Sequence, residues 1–332
     1  MERIKTVAFS ALLAPVLLLS LISRAWAQWA EDGVPLCTAT GVRYSPLIAS
    51  DFAGGAIVVW EDRRSGNSDI YVQRVDTWGT VRWEANGDLL CEAVGEQLGP
   101  AVVSDGSGGA IVAWTDDRSG FGGVYAQRID ASGTGLWSPN GVALAYCAGL
   151  DVAIAADGAN GAVVSWTDFG VFPYEVYAQR VDASGTVRWG ASGVAVCSAP
   201  GNQMCPAIAS DGAGGAILTW VDDRSGHNEI YAQRVSSSGV IQWALEGVAL
   251  CTAAGHQGSP KIVPDGSGGA IVVWDDGRPG APSIYAQQID ASGTAGWTAD
   301  GVRLCGLGGY YGYPAIAFAG AGGAIVTWQL CS

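Results

Sequence analysis

The sequence predicts an all-β fold: a six-bladed β-propeller of four-stranded repeats about 54 residues long, with the sixth blade closed by both termini. Three observations predict it. Trp60, Trp114, Trp166, Trp220, Trp274 and Trp328 each end a Gly-Ala-x-x-x-Trp phrase, and they stand 54, 52, 54, 54 and 54 residues apart. A second series, Trp29, Trp83, Trp137, Trp189, Trp243 and Trp297, keeps the same period. No stretch beyond the amino terminus has an apolar period of 3.6, so no helix is expected there.

The chain opens with Arg3 and Lys5, an apolar run from Val7 to Ile22, and Ala25-Trp26-Ala27. Basic start, short apolar run and small-x-small cleavage site read as a signal peptide over 1–27, giving a secreted or periplasmic product. A membrane anchor is the alternative, but the run is shorter than the ~20 residues a span needs. Removing 1–27 takes away Arg3, Lys5, Arg24 and Glu2 and moves the formal charge from −14 to −16. So acidic a surface argues against nucleic acid and membrane insertion.

Each repeat reads as four short strands, a to d, separated by turns. In the unit around Trp220, strand a is Pro206 to Ser210 and strand b is Ala216 to Val221. The glycine-rich turn 211–215 between them supplies positive-φ positions. Strand c is Glu229 to Val235; strand d runs from Val240 to Cys251, interrupted near Gly247. A blade alone cannot bury both apolar faces, so neighbouring blades must cover it, with the Trp rings between them. Trp78 is the one Trp after residue 27 outside both series, and it is expected to be exposed.

Phase sets the blade count. Five complete units, 46–91, 100–145, 151–197, 206–251 and 260–305, follow a lone d-type segment at 28–37. The chain ends with strands a and b alone, so residues 314–332 plus 28–37 are expected to form a composite sixth blade within a single domain, 28–332. A five-blade fragment of a longer protein is the alternative. Cys37, Cys91, Cys197, Cys251 and Cys305 share one register, too far apart to pair with one another, and read as buried, inert thiols. Cys147, Cys205 and Cys331 are out of register. Cys37–Cys331 and Cys197–Cys205 are the candidate disulfides. With no CxxC and only His227 and His256, no metal site is expected.

Carboxylates beside Arg invite acid–base chemistry, but here they recur. Asp116-Asp117-Arg118, Asp222-Asp223-Arg224, Glu61-Asp62-Arg63 and Asp275-Asp276-Gly277-Arg278 follow strand b in four units. A catalytic site is normally singular, so these read as turn-fixing hydrogen-bond sets. The third unit breaks the pattern as Thr167-Asp168-Phe169. Tyr-x-Gln-Arg on strand c is likewise repeated, becoming Tyr285-Ala286-Gln287-Gln288 in the fifth unit.

The c–d turn Val181-Asp182-Ala183-Ser184-Gly185-Thr186-Val187-Arg188-Trp189, with Ile129 to Trp137 and Ile289 to Trp297, resembles the repeats of pyrroloquinoline-quinone-type propellers. That resemblance implies a secreted bacterial propeller repeat protein in which each such Trp docks one blade on the next. It covers about nine residues per unit. It implies no cofactor, since no two cysteines are adjacent as they are near the quinone of that family. The turn spacing differs from the Asp-box of sialidases, and no GxSxG or HExxH is present.

Against this uniform frame, the d–a and b–c loops vary and share one face. They carry Arg43, Tyr44, Phe121, Phe172, Tyr174, His227, His256, Tyr310, Tyr311 and Tyr313. A rigid scaffold with variable loops points to an exported, non-catalytic binding or scaffold module, with a protein or glycan partner on that face. Two alternatives stay open. One is a multivalent lectin with a pocket at each blade interface. The other is a propeller-type lyase or hydrolase at the channel mouth using His227, His256 or Tyr311. A concave mouth with one singular cluster of ionisable groups would favour the enzyme.

Overall fold

The computed structural model describes residues 30, 32–279, 283–305 and 310–331, so the expected signal peptide and Trp29 lie outside the described residues. Blade one comprises β1 (Arg43–Ser50), β2 (Ala56–Asp62), β3 (Asp69–Val75) and β4 (Asp88–Leu89). Blade two is β5 (Gln97–Ser104), β6 (Ala110–Asp116), β7 (Val124–Ile129) and β8 (Val142–Ala145). Blade three is β9 (Gly149–Ala156), β10 (Ala162–Asp168), β11 (Glu175–Val181) and β12 (Val194–Ala195). Blade four is β13 (Gln203–Ser210), β14 (Ala216–Asp222), β15 (Glu229–Val235) and β16 (Val248–Cys251). Blade five is β17 (Gln257–Pro264), β18 (Ala270–Asp276), β19 (Ser283–Ile289) and β20 (Val302–Arg303). A two-stranded sheet, β21 (Tyr310–Gly320) and β22 (Gly323–Cys331), ends the chain. Every sheet is an antiparallel meander, and no helix occurs among the described residues.

The core lies between blades. Four buried clusters bridge consecutive blades; Ile57, Val59, Ile70 and Val72 of blade one, for example, meet Val112, Trp114 and Ile129 of blade two. Second strands are therefore apolar on both faces; all seven residues of β14, AILTWVD, are buried. First strands of successive blades approach one another and form the inner wall. The final hairpin packs on blade five with β21 against β17, β18 and β19. Among the described residues it has no third strand, and Trp328 is 38% exposed where Trp114, Trp220 and Trp274 are fully buried.

Two devices join the blades, and both come from the repeat. The first is the c–d turn. Trp83, Trp137, Trp189 and Trp243 donate their indole N–H to the carbonyls of Ala131, Ala183, Ser237 and Ala291 in the next blade at 3.0–3.2 Å. The turn glycine must be bare, because a Cβ on Gly185 would lie 2.8 Å from the Trp137 ring and its φ is +81°. Trp297 has no such turn after it and is 38% exposed. Trp78, at 58%, is the most exposed described Trp.

The second device is a buried lock built from the Asp–Arg phrase. Trp114 donates its indole N–H to Asp116 Oδ2 at 2.9 Å, and Arg118 grips the same carboxylate through Nε and Nη2. The guanidinium lies 3.9 Å over the Tyr125 ring, which stacks on Trp114. Its Nη2 also donates to Cys91 Sγ of the preceding blade and to the Asn140 carbonyl. The set recurs around Asp62 with Arg64, Asp222 with Arg224, and Asp276 with Arg278. In the first unit Arg64 takes this place and Arg63 faces Glu96.

Three of these carboxyls, Asp62, Asp116 and Asp276, make the fold acid-labile. Burial works to raise Asp62, but hydrogen bonds from Arg64 and Trp60 outweigh it and bring the carboxyl to about 2. Asp116 and Asp276 are lowered below 3.8 against the same burial by the same kinds of partner. With folded values below unfolded ones, the unfolded chain binds protons first as pH falls. The stabilisation is complete above about pH 4 and is lost toward about pH 2. The thermal midpoint should fall steeply across that window; a flat profile would contradict it. Asp222→Ala, which strands a buried guanidinium and the Trp220 indole, should cost about 3–5 kcal/mol in urea unfolding. A loss under about 1 kcal/mol would refute the lock.

Candidate functional site

Each inner strand carries a bulge two or three residues after its start, between positions 44 and 47, 98 and 101, 204 and 207, 258 and 261, and 312 and 315, with the counterpart in β9. Pro46, Pro100, Pro206, Pro260 and Pro314 sit in these bulges, where a missing N–H costs no ladder bond. The residue before is left-handed in every blade: Ser45, Gly99, Asp151, Cys205, Ser259 and Tyr313 have φ between 49° and 57°. Backbone geometry repeats there while the side chain does not.

Part of this ring faces a cavity of about 580 Å³ on the inner wall, lined by Asp151, Cys205, Ser259 and Lys261 among apolar residues including Ile154, Ile208, Ile262 and Ile316. Lys261 is the only lysine after Lys5. Thr167 Oγ1 donates to Asp151 Oδ2 at 3.3 Å. Burial and the adjacent Asp151 carboxylate push the Cys205 thiol up to about 11, against a smaller opposing pull from Lys261. It is therefore a thiol, not a ready nucleophile, at neutral pH. One strand away, Asp275 Oδ1 is buried without a hydrogen-bond partner, pairing across the ladder with Gly258.

The loop residues singled out from sequence sit in separate local settings. Arg43 is tied to Cys37 Sγ and Asp62, and Tyr44 lies under Arg63. Phe121 is exposed on blade two. Phe172 and Tyr174 cluster with Phe169, ring centres 5.7 and 4.4 Å from Tyr174. His227 is held in its own turn, 3.0 Å from Ser225 Oγ and 3.6 Å from Glu229, and His256 Nδ1 accepts the Asn228 N–H. Neither histidine lines the inner cavity. Tyr313 is exposed at its bulge, and the side chains of Tyr310, Tyr311 and Cys331 lie outside the described residues.

Cys197 and Cys205 are free thiols, so the expected bridge between them is not formed. Cys197 follows the outermost strand and packs against Asp222, while Cys205 sits on the innermost strand and opens into the cavity. Cys37 is also a free thiol, contacted by Arg43 and Arg64. Burial raises Cys91 to about 11 and Cys197 and Cys251 to about 12. In blades one, two, four and five the interface pockets expected for a lectin are filled, since the recurrent Asp, Arg and Trp bind one another.

No family model and no curated protein matches the chain. Solved structures do. An α-L-arabinanase from Penicillium chrysogenum complexed with arabinobiose aligns at TM-score 0.49 and 11% identity, over 77% of this chain and 85% of that one. The endo-arabinase of Bacteroides thetaiotaomicron gives 0.39 and 16%, over 81% and 98%. A putative TolB from Agrobacterium tumefaciens gives 0.44 and 14%, over 78% and 80%. The likeness is one of fold: a β-propeller repeat architecture. Most of these neighbours carry the names of glycoside-cleaving enzymes, sialidase and sucrose-6-phosphate hydrolase among them. The non-catalytic module expected from the uniform blades is corrected on this point: these neighbours are named as hydrolases, not as binding modules. The physical reason is placement: varied chemistry sits on the inner-strand bulges, which a loop-centred reading passes over. Lys261, isolated in a chain nearly free of lysine, was the signal that could have found it.

Cys205 gives a direct test of the cavity. Although it is open to the channel, its alkylation should be slow at about pH 7.5 and rise about tenfold per pH unit toward its raised value. Peptide mapping after iodoacetamide treatment reads this; fast labelling at neutral pH would contradict the environment described.

Proposed function

We propose that this protein is an exported hydrolase acting on glycans at the mouth of its inner channel. The observation that carries the reading is the singular cluster of Asp151, Cys205, Ser259 and Lys261 on a concave wall whose backbone is otherwise repetitive. Glycosidic cleavage uses two carboxyl groups, one donating a proton to the leaving oxygen and one acting on the opposite face of the sugar. Asp151 lines the cavity and is one such group; Asp275 does not line it but stands one strand behind Ser259 and Lys261 with an unpartnered oxygen, and is the candidate second. Lys261 supplies a cation for substrate hydroxyls or developing negative charge, and the isoleucines limit water. Arabinan is the first polymer to try, since two of the similar structures are arabinan-degrading enzymes by name.

We also infer that residues 28–37 complete a sixth blade with β21 and β22. Among the described residues no strand pairs with the free edge of β22, and Ile325 and Leu330 stand exposed there. Support comes from the segment after Cys37. Thr38 N–H donates to Asn86 Oδ1 at 2.8 Å, just as Glu92 does to Asn140 and Thr252 to Asp300. Cys37 thus already holds, against blade one, the register that a preceding blade's outer strand holds elsewhere.

Reducing-end release from arabinan and a panel of aryl glycosides tests the activity. Asp151→Asn should lower kcat by about 10²–10⁴ with the fold intact, and Asp275→Asn should lower it comparably. No turnover by the wild type across the panel, or full activity in Asp151→Asn, would refute the site.

A further inference from the structure

Blade three breaks the buried lock, and the break leaves a hole of defined chemistry. Trp166-Thr167-Asp168-Phe169-Gly170 aligns with Trp114-Thr115-Asp116-Asp117-Arg118, so Gly170 stands where the other four blades place an arginine. In its place is a cavity of about 190 Å³ lined by Ala145, Tyr146, Cys147, Trp166, Asp168, Tyr177 and Ser192. Five of these are, register for register, the partners of Arg118: Cys91, Asn140, Trp114, Asp116 and Tyr125 become Ala145, Ser192, Trp166, Asp168 and Tyr177.

The walls remain set for a cation. Tyr177 still stacks on Trp166, at 6.1 Å and 14°, offering the ring face that carries a guanidinium in blades one, two, four and five. Asp168 keeps its backbone bond, accepting Gly170 N–H at 2.8 Å through Oδ1. Trp166 is 1% exposed, and its indole N–H has only the Cys147 thiol as a weak neighbouring acceptor, with no carboxylate bond. In the sister blades that N–H is satisfied by the carboxylate the arginine holds in place. A thiol is a weak acceptor for a buried N–H, so exchanging it for the Asp168 carboxylate favours occupancy. Glu175, bonded to the Tyr177 hydroxyl, adds negative charge at the rim.

We propose that this cavity is a binding site for a guanidinium group from outside the chain, either a small guanidino compound or the side chain of an arginine. The bound group would bridge Asp168 and the Ser192 carbonyl while lying on Tyr177, and would draw Oδ2 of Asp168 onto the Trp166 indole. A primary ammonium lacks the planar fork and the stacking face, so lysine should be rejected. The site stands apart from the inner channel and does not depend on the proposed hydrolysis.

Titration of the intact protein with methylguanidinium, arginine amide and an acetylated Gly-Arg-Gly amide, followed through the Trp166 indole N–H in ¹H–¹⁵N spectra and by calorimetry, tests this. Methylammonium and lysine amide at equal ionic strength are the controls. Saturable shifts confined to Trp166 among the strand-b tryptophans, at least about tenfold weaker in Asp168→Asn, are expected. Binding of arginine amide but not of the peptide would assign the site to free small molecules; binding of both would admit protein arginines. Gly170→Arg restores the sister-blade phrase, so it should raise the thermal midpoint and abolish binding. No saturable shift in the wild type, equal response to lysine amide, or undiminished binding in Gly170→Arg would overturn the proposal.

Discussion

The structure depends on a buried carboxylate shared by an indole and a guanidinium. An isolated ionised Asp at zero exposure would be prohibitively costly, so its donors must all arrive together. Trp114 comes from the strand, Arg118 from the loop after it, and the Tyr125 ring from the next strand. Arg118 also reaches Cys91, which belongs to the blade before. One group thus fixes the end of a strand, the course of a loop and the seating of two blades. Apolar contact supplies most of the driving force between blades. The lock sets their register, because an apolar face alone would tolerate a slide.

Much of this was legible in the sequence, for a specific reason: the same side chains had to be supplied again for each blade. The period of Trp220 and its counterparts gave the blades. Spacing within the Cys205–Cys251 stretch gave the strand order, and repetition marked Asp222 and Arg224 as structural before any contact was seen. What stayed hidden has a physical cause too. The strand a boundary was read three residues late because Gln203, Met204 and Cys205 carry no alternation across a bulge. Pro206 looks like a strand start and is the bulge itself. Asp151 and Lys261 were missed because sequence shows which residues vary but not which variable ones turn inward.

Chemistry gathers where the repeat lapses. On the inner wall the backbone keeps its left-handed bulge while the side chain changes from Ser45 through Asp151 and Cys205 to Tyr313. In blade three the lock loses its arginine and the Trp–Asp bond, while Trp166, Asp168 and Tyr177 stay in place. Either departure would weaken a purely structural protein, as a strained non-glycine φ and a poorly satisfied indole each cost stability. A repeat protein can carry such defects because its blades are held by several interfaces, and one weak place does not unravel the array.

Hydrogen exchange at the tryptophan side chains tests the lock most directly. With ¹⁵N-labelled indoles in native buffer, the Nε1 protons of Trp60, Trp114, Trp220 and Trp274 should exchange as slowly as the most protected amides of the second strands, releasing only with global unfolding. If those four indoles exchange as fast as exposed Trp78, the carboxylate is not holding them, and the account of how the blades are joined is wrong.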